Sequence, residues 1–537
     1  MKIKILLLII TIWAFFLRAY QVNNYPSLLW DEAALGYNSY SILKTGRDEF
    51  GKLLPFTLQS FGDYKPALYS YLAIPFVGLL GLNELSVRLP SIILGALCPL
   101  LLYLLILKLS PQANRLGIIA AIILAFNPIN IIFSRGAWET NVLTFELLLA
   151  SYWFFNHRYL LSSIIFGLTL YTYQGAKLIS LLLILTLFFL NHQVLKTKIQ
   201  KIIHNFIFPL GLMAIPITLS LFSSGANRLQ VVSLFSYPRI ESEVNTIISE
   251  SNSFDYNLFY SRPQFFIRNF LSRYFNHISP QFLAFVGDWQ NSRHTAPYTG
   301  ELLIPTYILF VVGFFWLLSQ KSDVAKYKYF LFWLILAPLP GALTRDSVTA
   351  VRTMNLSIPL VFLAAYAIDQ LIHLVPKFYI KPFYGLLITA YGLSFIYFSE
   401  LYYHHLLKHT PGEYLYGYRQ AMNHVLQNGQ NKQITFTDFY GQPYIYYLFY
   451  SQYPPSIYQK TNHYLSGGID TGKVESIDNL RFTSTQFADI KNKPNNLAIF
   501  SWDEILRQGI NNSPDFANFI PLSPINNLST FYAYQTN

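Results

Sequence analysis

The sequence predicts an all-α polytopic membrane protein with a small α/β domain at its C-terminal end. Three observations carry that reading. Of 537 residues, 53% are hydrophobic and only 12% are Asp, Glu, Lys or Arg, against roughly 25% charged in an average soluble domain. The apolar residues fall in runs long enough to span a bilayer. Aromatic residues reach 17% and gather near the ends of those runs, where amphipathic rings favour the membrane interface. An ordinary soluble enzyme is excluded. The net charge of +11 needs no nucleic acid partner, because cytoplasmic loops of membrane proteins collect Lys and Arg. The single cysteine, Cys98, excludes an intrachain disulfide and a cysteine metal cluster.

The segment MKIKILLLIITIWAFFLRAY has the basic start of a signal peptide, but no small-residue cleavage site follows, so it reads as an uncleaved first helix with its N-terminus in the cytoplasm. Further spans are expected at about 90–109, 116–134, 142–155, 159–175, 176–190, 206–223, 301–320, 329–344, 354–373 and 383–400. The run 66–82 decides sidedness. It contains Pro66 and Pro75 and falls short of the ~20 residues a span needs, so it reads as a helix lying in the outer interface. Lys108, Arg115, Lys196, Lys198, Lys201, Lys321, Lys326, Lys328, Lys377 and Lys381 then join Lys2 and Lys4 in the cytoplasm, as the positive-inside rule requires.

The expectation is eleven spans, N-terminus in and C-terminus out. Residues 1–408 make the membrane domain, with outer loops 21–89, 135–141, 224–300 and 345–353. Residues 409–537 are richer in Asn, Gln, Asp and Lys, with short strand-like runs such as QITFTDF and NLAIFSW, and read as a soluble α/β domain outside. No internal repeat is visible.

Because charged residues are scarce, their placement is informative, and most candidates fall in the outer loops. Asp31 and Glu32 in LLWDEAALGYNSYSIL follow the first helix; such a pair suits general-base work or a metal, and Asp31 equally suits the cap of the next helix. In FGDYKPALY, Lys65 holds an ammonium at headgroup depth, suited to a lipid phosphate or to snorkelling at a helix end. The turn SRGAWETN supplies Arg135, Glu139 and Asn141. The loop FVGDWQNSRHTAPYTG brings Asp288, Arg293 and His294, and LTRDSVTAVRT brings Arg345, Asp346 and Arg352. Arginine offers phosphate a planar fork of donors, so these two loops suggest an anionic ligand; a lone histidine such as His294 is more often structural.

An acidic pair after the first helix, a KP motif before an interfacial helix, the segment GLNELSVRLPS and then SRGAWETN come in an order that resembles the membrane glycosyltransferases of the C-type fold. More closely, residues 1–400 resemble the bacterial relatives of the protein O-mannosyltransferases and lipid A aminoarabinose transferases, and GDWQNSRHTAP and LPGALTRDSVTAVRTMN look like segments of a bacterial subgroup. The resemblance implies an enzyme of the bacterial inner membrane. It would transfer a sugar from a polyprenyl phosphate to a lipid, protein or glycan acceptor on the extracytoplasmic face, inverting the anomeric carbon. It implies that Asp31 is the general base with Glu32 beside it, and that Lys65 meets the donor phosphate. Glu139 stands where many relatives have an aspartate.

The chemistry of the residues agrees. Displacement at an anomeric carbon needs a base at the acceptor hydroxyl and cations at the leaving phosphate. Asp31 would serve the first need, and Lys65, Arg293 and Arg352 the second, with Asp288, His294 and Asn141 in support. No metal or other cofactor is required, although Asp31 with Glu139 has the oxygens for a divalent cation. A transporter of lipid-linked or small anionic substrates is the rival class. It would be expected to show broken helices in repeated halves and ionisable groups at mid-membrane, whereas the candidate charges here lie at one face.

Overall fold

The computed structural model describes residues 2–220, 241–462, 464–465, 472–525 and 528–536. The end of the expected span 206–223 and the start of the expected loop 224–300, up to residue 240, lie outside the described residues. The protein is mostly helical. Among the described residues, four helices are long and apolar enough to cross a membrane: Glu84–Leu109, Ile199–Leu219, Ala350–Leu374 and Lys377–His409. A fifth span arises if Asn114–Ala125 and Pro128–Ser134, bent by 56° at their junction, count as one. Shorter apolar helices cover Leu68–Leu80, Tyr159–Thr172, Ala176–Leu190 and Ile304–Ser319. The helix Leu68–Leu80, with Pro75 inside it, has 13 residues and so extends about 20 Å, short of the ~30 Å hydrocarbon core.

The chain divides into two units. The first comprises Met1–Leu17, Leu94–Phe133 and Thr140–Leu401. In it, helix α1 (Lys2–Ala19) sets Leu7, Ile10 and Ala14, one face at helical spacing, against Ala96, Tyr103, Ala121 and Ala125. Ile304–Ser319 and Ser357–Leu374 lie against one another so closely that a Cβ at Gly313 would stand 2.0 Å from the Leu363 carbonyl oxygen; only glycine lets the backbones approach that far. The Phe330 and Phe362 rings stack at 4.1 Å nearby, and Trp333 Nε1 donates to Asn355 Oδ1 at 2.8 Å.

The second unit comprises Arg18–Ile93, Ser134–Glu139 and Tyr402–Asn537, so the C-terminal stretch shares a unit with the whole of the segment 21–89. Its centre is a six-stranded mixed sheet in the order Ser476–Ile477, Leu480–Phe482, Gln433–Phe436, Asn496–Ser501, Phe531–Gln535, Ile520–Pro521. Asn496–Ser501 is buried along its whole length, as a strand covered on both faces must be. It runs parallel to Gln433–Phe436 and antiparallel to Phe531–Gln535. One face packs an aromatic core of Phe487, Phe500, Phe519, Tyr532 and Tyr534. The same unit contains helix α2 (Trp30–Thr45), the hairpin of strands β1 (Thr57–Ser60) and β2 (Asp63–Pro66), helix α3 (Leu68–Leu80) and the first turns of helix α4 (Glu84–Leu109).

Candidate active site

The acidic pair lies on the first turn of α2, where the partial positive charge of the helix start favours carboxylates. Leu29 is the N-cap, and the Glu32 side chain folds back so that Oε2 accepts the Leu29 N–H at 3.0 Å. Capping therefore falls to Glu32, and Asp31 is one position past the start. The two neighbours have opposite surroundings. Glu32 is paired with Arg88 on α4, the two side chains being 4% and 0% exposed. Arg88 Nε donates to Glu32 Oε1 at 2.8 Å and Nη2 to Oε2 at 2.7 Å, a bidentate fork.

Arg88's remaining donors reach the carbonyls of Val22, Pro26 and Ser27 at 2.7, 3.0 and 3.1 Å. All five of its N–H groups are thereby spent, and the loop leading into α2 is clamped. Glu32 Oε1 also accepts the Ala137 N–H at 2.7 Å, which ties the turn 134–139 to the start of α2. That turn closes tightly because residue 136 is glycine: a Cβ there would stand 2.6 Å from the Trp138 indole nitrogen and 3.3 Å from Glu32 Oε1. With both oxygens engaged and out of solvent, Glu32 cannot take up an acceptor proton. Arg135 is likewise fully buried and donates to the carbonyls of Tyr20 at 2.7 Å and Tyr25 at 2.9 Å.

Asp31, by contrast, is 41% exposed and forms an ion pair with Lys65. The lysine is placed by the hairpin, where it stands opposite Leu58. The two turn residues, Phe61 (φ 54°) and Gly62 (φ 88°), both have positive φ, as a tight two-residue hairpin demands. A bulky residue rarely adopts that conformation. Phe61 is held in it by edge contacts with Trp30 and Tyr444, at centroid distances of 6.3 and 6.0 Å, and its ring lies 5.4 Å from the Lys65 ammonium. Glu139, half-buried in the same unit, is pushed up to about 7 by burial, with the Lys65 charge opposing and the Asp31 charge adding. Asp31, Lys65 and Glu139 thus form one electrostatic cluster around an accessible carboxylate. Among the described residues no three His, Cys, Asp or Glu side chains gather as metal ligands.

The remaining candidates belong to the first unit. Asp288 is a staple: Oδ2 accepts the Ala350 N–H at 2.8 Å and the His294 ring at 2.6 Å, while Oδ1 accepts the N–H groups of Gln290 and Asn291, both at 3.1 Å. Burial alone would raise its carboxyl, but His294 and these N–H groups hold it below the usual range. Trp289 Nε1 donates to Ser347 Oγ at 3.0 Å, and the Thr349 N–H donates to His277 Nε2 at 3.0 Å. Burial lowers His277 to about 4, so its neutral ring can accept that bond. The loops around 288–294 and 345–353 are therefore knitted together, with Asp288 and His294 engaged in the knitting. Arg352 pairs with Asp346 and reaches Thr344 Oγ1 at 3.1 Å; Arg293 is half-buried, and Asn141 is buried on the first turn of the helix Glu139–Phe155.

Arg88 is the residue of the candidate site that sequence reading left without a role. It stands in GLNELSVRLPS as one cation at the head of an apolar helix, and nothing in the spacing points to a carboxylate 56 positions earlier.

Residues 8–230 match the family model described as dolichyl-phosphate-mannose-protein mannosyltransferase. No curated protein matches the chain by sequence. Among solved structures, apo ArnT from Cupriavidus metallidurans is similar with a TM-score of 0.53 and 12% identity, covering 98% of this chain and 97% of that one. The same protein bound to undecaprenyl phosphate gives a TM-score of 0.52 at 12% identity and the same coverage. The apo oligosaccharyltransferase of Archaeoglobus fulgidus is 12% identical over 84% of this chain and 64% of that one, with a TM-score of 0.47. The chain therefore has an ArnT-like fold, and its residues 8–230 are similar to the dolichyl-phosphate-mannose-protein mannosyltransferases.

Proposed function

We propose that the protein is an integral-membrane glycosyltransferase that moves a sugar from a polyprenyl phosphate to an acceptor hydroxyl at the outer face of a bacterial inner membrane. The observation that carries this reading is the accessible Asp31 carboxylate held on Lys65, beside a Glu32–Arg88 pair that is buried and saturated. Asp31 takes the proton of the acceptor hydroxyl. The acceptor oxygen bonds to the anomeric carbon from the face opposite the phosphate, the carbon–oxygen bond to phosphate breaks, and the configuration inverts. Lys65 turns from Asp31 to the phosphate as negative charge develops there, which stabilises the leaving group and leaves Asp31 more basic. Glu32 and Arg88 position Asp31 and do not touch substrate. The sequence offers Arg293 and Arg352 as further cationic donors for a phosphate. An apolar groove of about 410 Å³, lined by Ile122, Phe126, Ile368, Ile388 and Phe395 among others, supports a place for a polyprenyl chain.

This reading includes eleven spans with the N-terminus inside and the site and C-terminal stretch outside. It predicts that single cysteines at Asn83 and Gln290, in a Cys98→Ser background, label with an impermeant thiol reagent added from outside, and that one at Ser322 does not. Protection at Asn83 together with labelling at Ser322 would mean that 66–82 crosses the membrane.

Phosphate binding is tested with bare polyprenyl phosphate and full-length protein in detergent. A charge-assisted hydrogen bond contributes on the order of 1.5–3 kcal/mol, so Lys65→Ala and Arg352→Ala should each weaken binding by roughly 10–150-fold. Lys65→Arg should restore only part, since a guanidinium is not a compact point charge. Unchanged affinity in both alanine variants would remove these residues from the phosphate site.

A further inference from the structure

The second unit holds a polar cavity that the mechanism does not use. Its volume is about 300 Å³, the lower end of the range for small-ligand pockets, and its lining contains none of Asp31, Lys65 and Glu139. One wall is the segment that leads into α2, including Pro26 and Ser27, whose carbonyls Arg88 grips. Glu84, at the head of α4 and one turn before Arg88, forms another with residues 415–420 and Tyr450.

Polar side chains converge on this cavity. Glu84 is 3% exposed; its Oε1 accepts the Tyr450 hydroxyl at 2.9 Å and lies 3.5 Å from Arg419 Nε. Arg419 Nη1 donates to the Asn23 carbonyl at 2.9 Å and to Asn24 Oδ1 at 3.0 Å, which fixes the guanidinium at the cavity. Among the described residues no hydrogen bond reaches Glu84 Oε2, Asn24 Nδ2 or the Gln420 carboxamide, and all three residues line the cavity.

That lining selects its occupant. Glu84 and Arg419 cancel in charge, so neither an anion such as the donor phosphate nor a cation gains by entering. A carboxamide sets a donor beside an acceptor, and so meets the adjacent hydroxyls of a sugar, each of which both donates and accepts. A peptide would need a free strand edge or an apolar groove for a helix. The cavity offers neither, since no lining residue belongs to a strand and polar side chains predominate.

We propose that this cavity binds a neutral saccharide portion of the acceptor, an inference that rests on the sugar-transfer reading of the Asp31–Lys65 site. Ser27 in the wall stands four residues before Asp31, so the two are at most about 14 Å apart, within the length of an oligosaccharide. The same segment is clamped by Arg88, so bound saccharide and base are held by one piece of chain. The acceptor is thereby a glycan or glycolipid, and part of its recognition falls to the C-terminal stretch.

The test titrates the full-length protein in detergent, by calorimetry, with neutral oligosaccharides of hexoses or N-acetylhexosamines, with a neutral serine–glycine peptide and with bare polyprenyl phosphate. The wild type should bind at least one saccharide. Glu84→Gln should weaken that binding by roughly tenfold or more, and Asn24→Ala and Gln420→Ala by roughly 2–10-fold each. All three should keep affinity for the bare lipid phosphate within about twofold. Asn24 is exposed and Gln420 half-buried, so their variants test the proposal even where Glu84→Gln fails to fold. Variants that bind the saccharide as the wild type does, or that lose saccharide and lipid phosphate equally, overturn the proposal. A wild type that binds bare lipid phosphate but no saccharide, or the peptide in place of every saccharide, overturns it while the sugar-transfer reading stands. A wild type that binds saccharide but no polyprenyl phosphate overturns the sugar-transfer reading, and with it the role of the cavity in holding an acceptor.

Discussion

Asp31→Asn is expected to lower sugar transfer by roughly 10²–10⁴-fold, the range for loss of a general base, while donor affinity survives. Asparagine keeps the size and most of the hydrogen bonding but cannot accept the acceptor proton. The structure makes the outcome decisive, because the helix cap is formed at Leu29 with the Glu32 side chain, and the exposed Asp31 carboxylate meets Lys65 instead. If Asp31 only held the hairpin to α2 through that pair, the substitution would weaken an ion pair that is accessible to solvent, and transfer would fall little. Turnover and donor affinity measured on the same preparation separate the two roles. Glu32→Gln should cost less turnover than Asp31→Asn, since Glu32 has no free oxygen for an acceptor.

The largest effect on stability is expected at Arg88. Truncating one partner of a buried ion pair typically costs about 3–5 kcal/mol, because the other charge is left without compensation. Arg88→Met would strand the Glu32 carboxylate and release the carbonyls of Val22, Pro26 and Ser27. The unfolding midpoint of the purified protein should drop by several degrees, and transfer should fall with it because the loop that positions Asp31 loses its clamp. The double variant Arg88→Met with Glu32→Gln should regain part of the stability, since no buried charge remains. A midpoint for Arg88→Met equal to wild type would contradict the clamp.

The parts of the site that were legible in the sequence owe it to scarcity. In a chain with so few charges, Asp31, Lys65 and Glu139 stood out in three separate loops, and the structure brings them into one electrostatic cluster. The runs QITF and NLAIFS were legible as strands because β-branched and aromatic residues are concentrated there, and both are strands of the central sheet. Pairings over long separations were not legible. Arg88 meets Glu32 through side chains, but the rest of its grip is on backbone carbonyls, which any residue supplies.

The same holds for the C-terminal stretch. Tyr446 donates to the Leu28 carbonyl at 2.9 Å, and Gln459 to the Asp48 carbonyl at 2.9 Å, contacts without a sequence signature. Phe61 was also hidden: it takes a positive φ that its type disfavours, and it is held there by rings from elsewhere in the chain. Asp288 and His294 were expected in support of an anionic ligand; in the structure Asp288 joins two loops through the Ala350 N–H, and His294 bonds to Asp288 within its own loop.

The central claim is that this cluster of residues transfers sugar from a polyprenyl phosphate. It is tested most directly by incubating the purified full-length protein with a panel of polyprenyl-phosphate sugars and following release of sugar and of lipid phosphate, for wild type and Asp31→Asn side by side. The account predicts turnover of at least one donor by the wild type, with the anomeric configuration inverted in the product, and its near-complete loss in Asp31→Asn. Turnover that Asp31→Asn retains, or a wild type that binds these lipids and releases sugar from none of them, would contradict it.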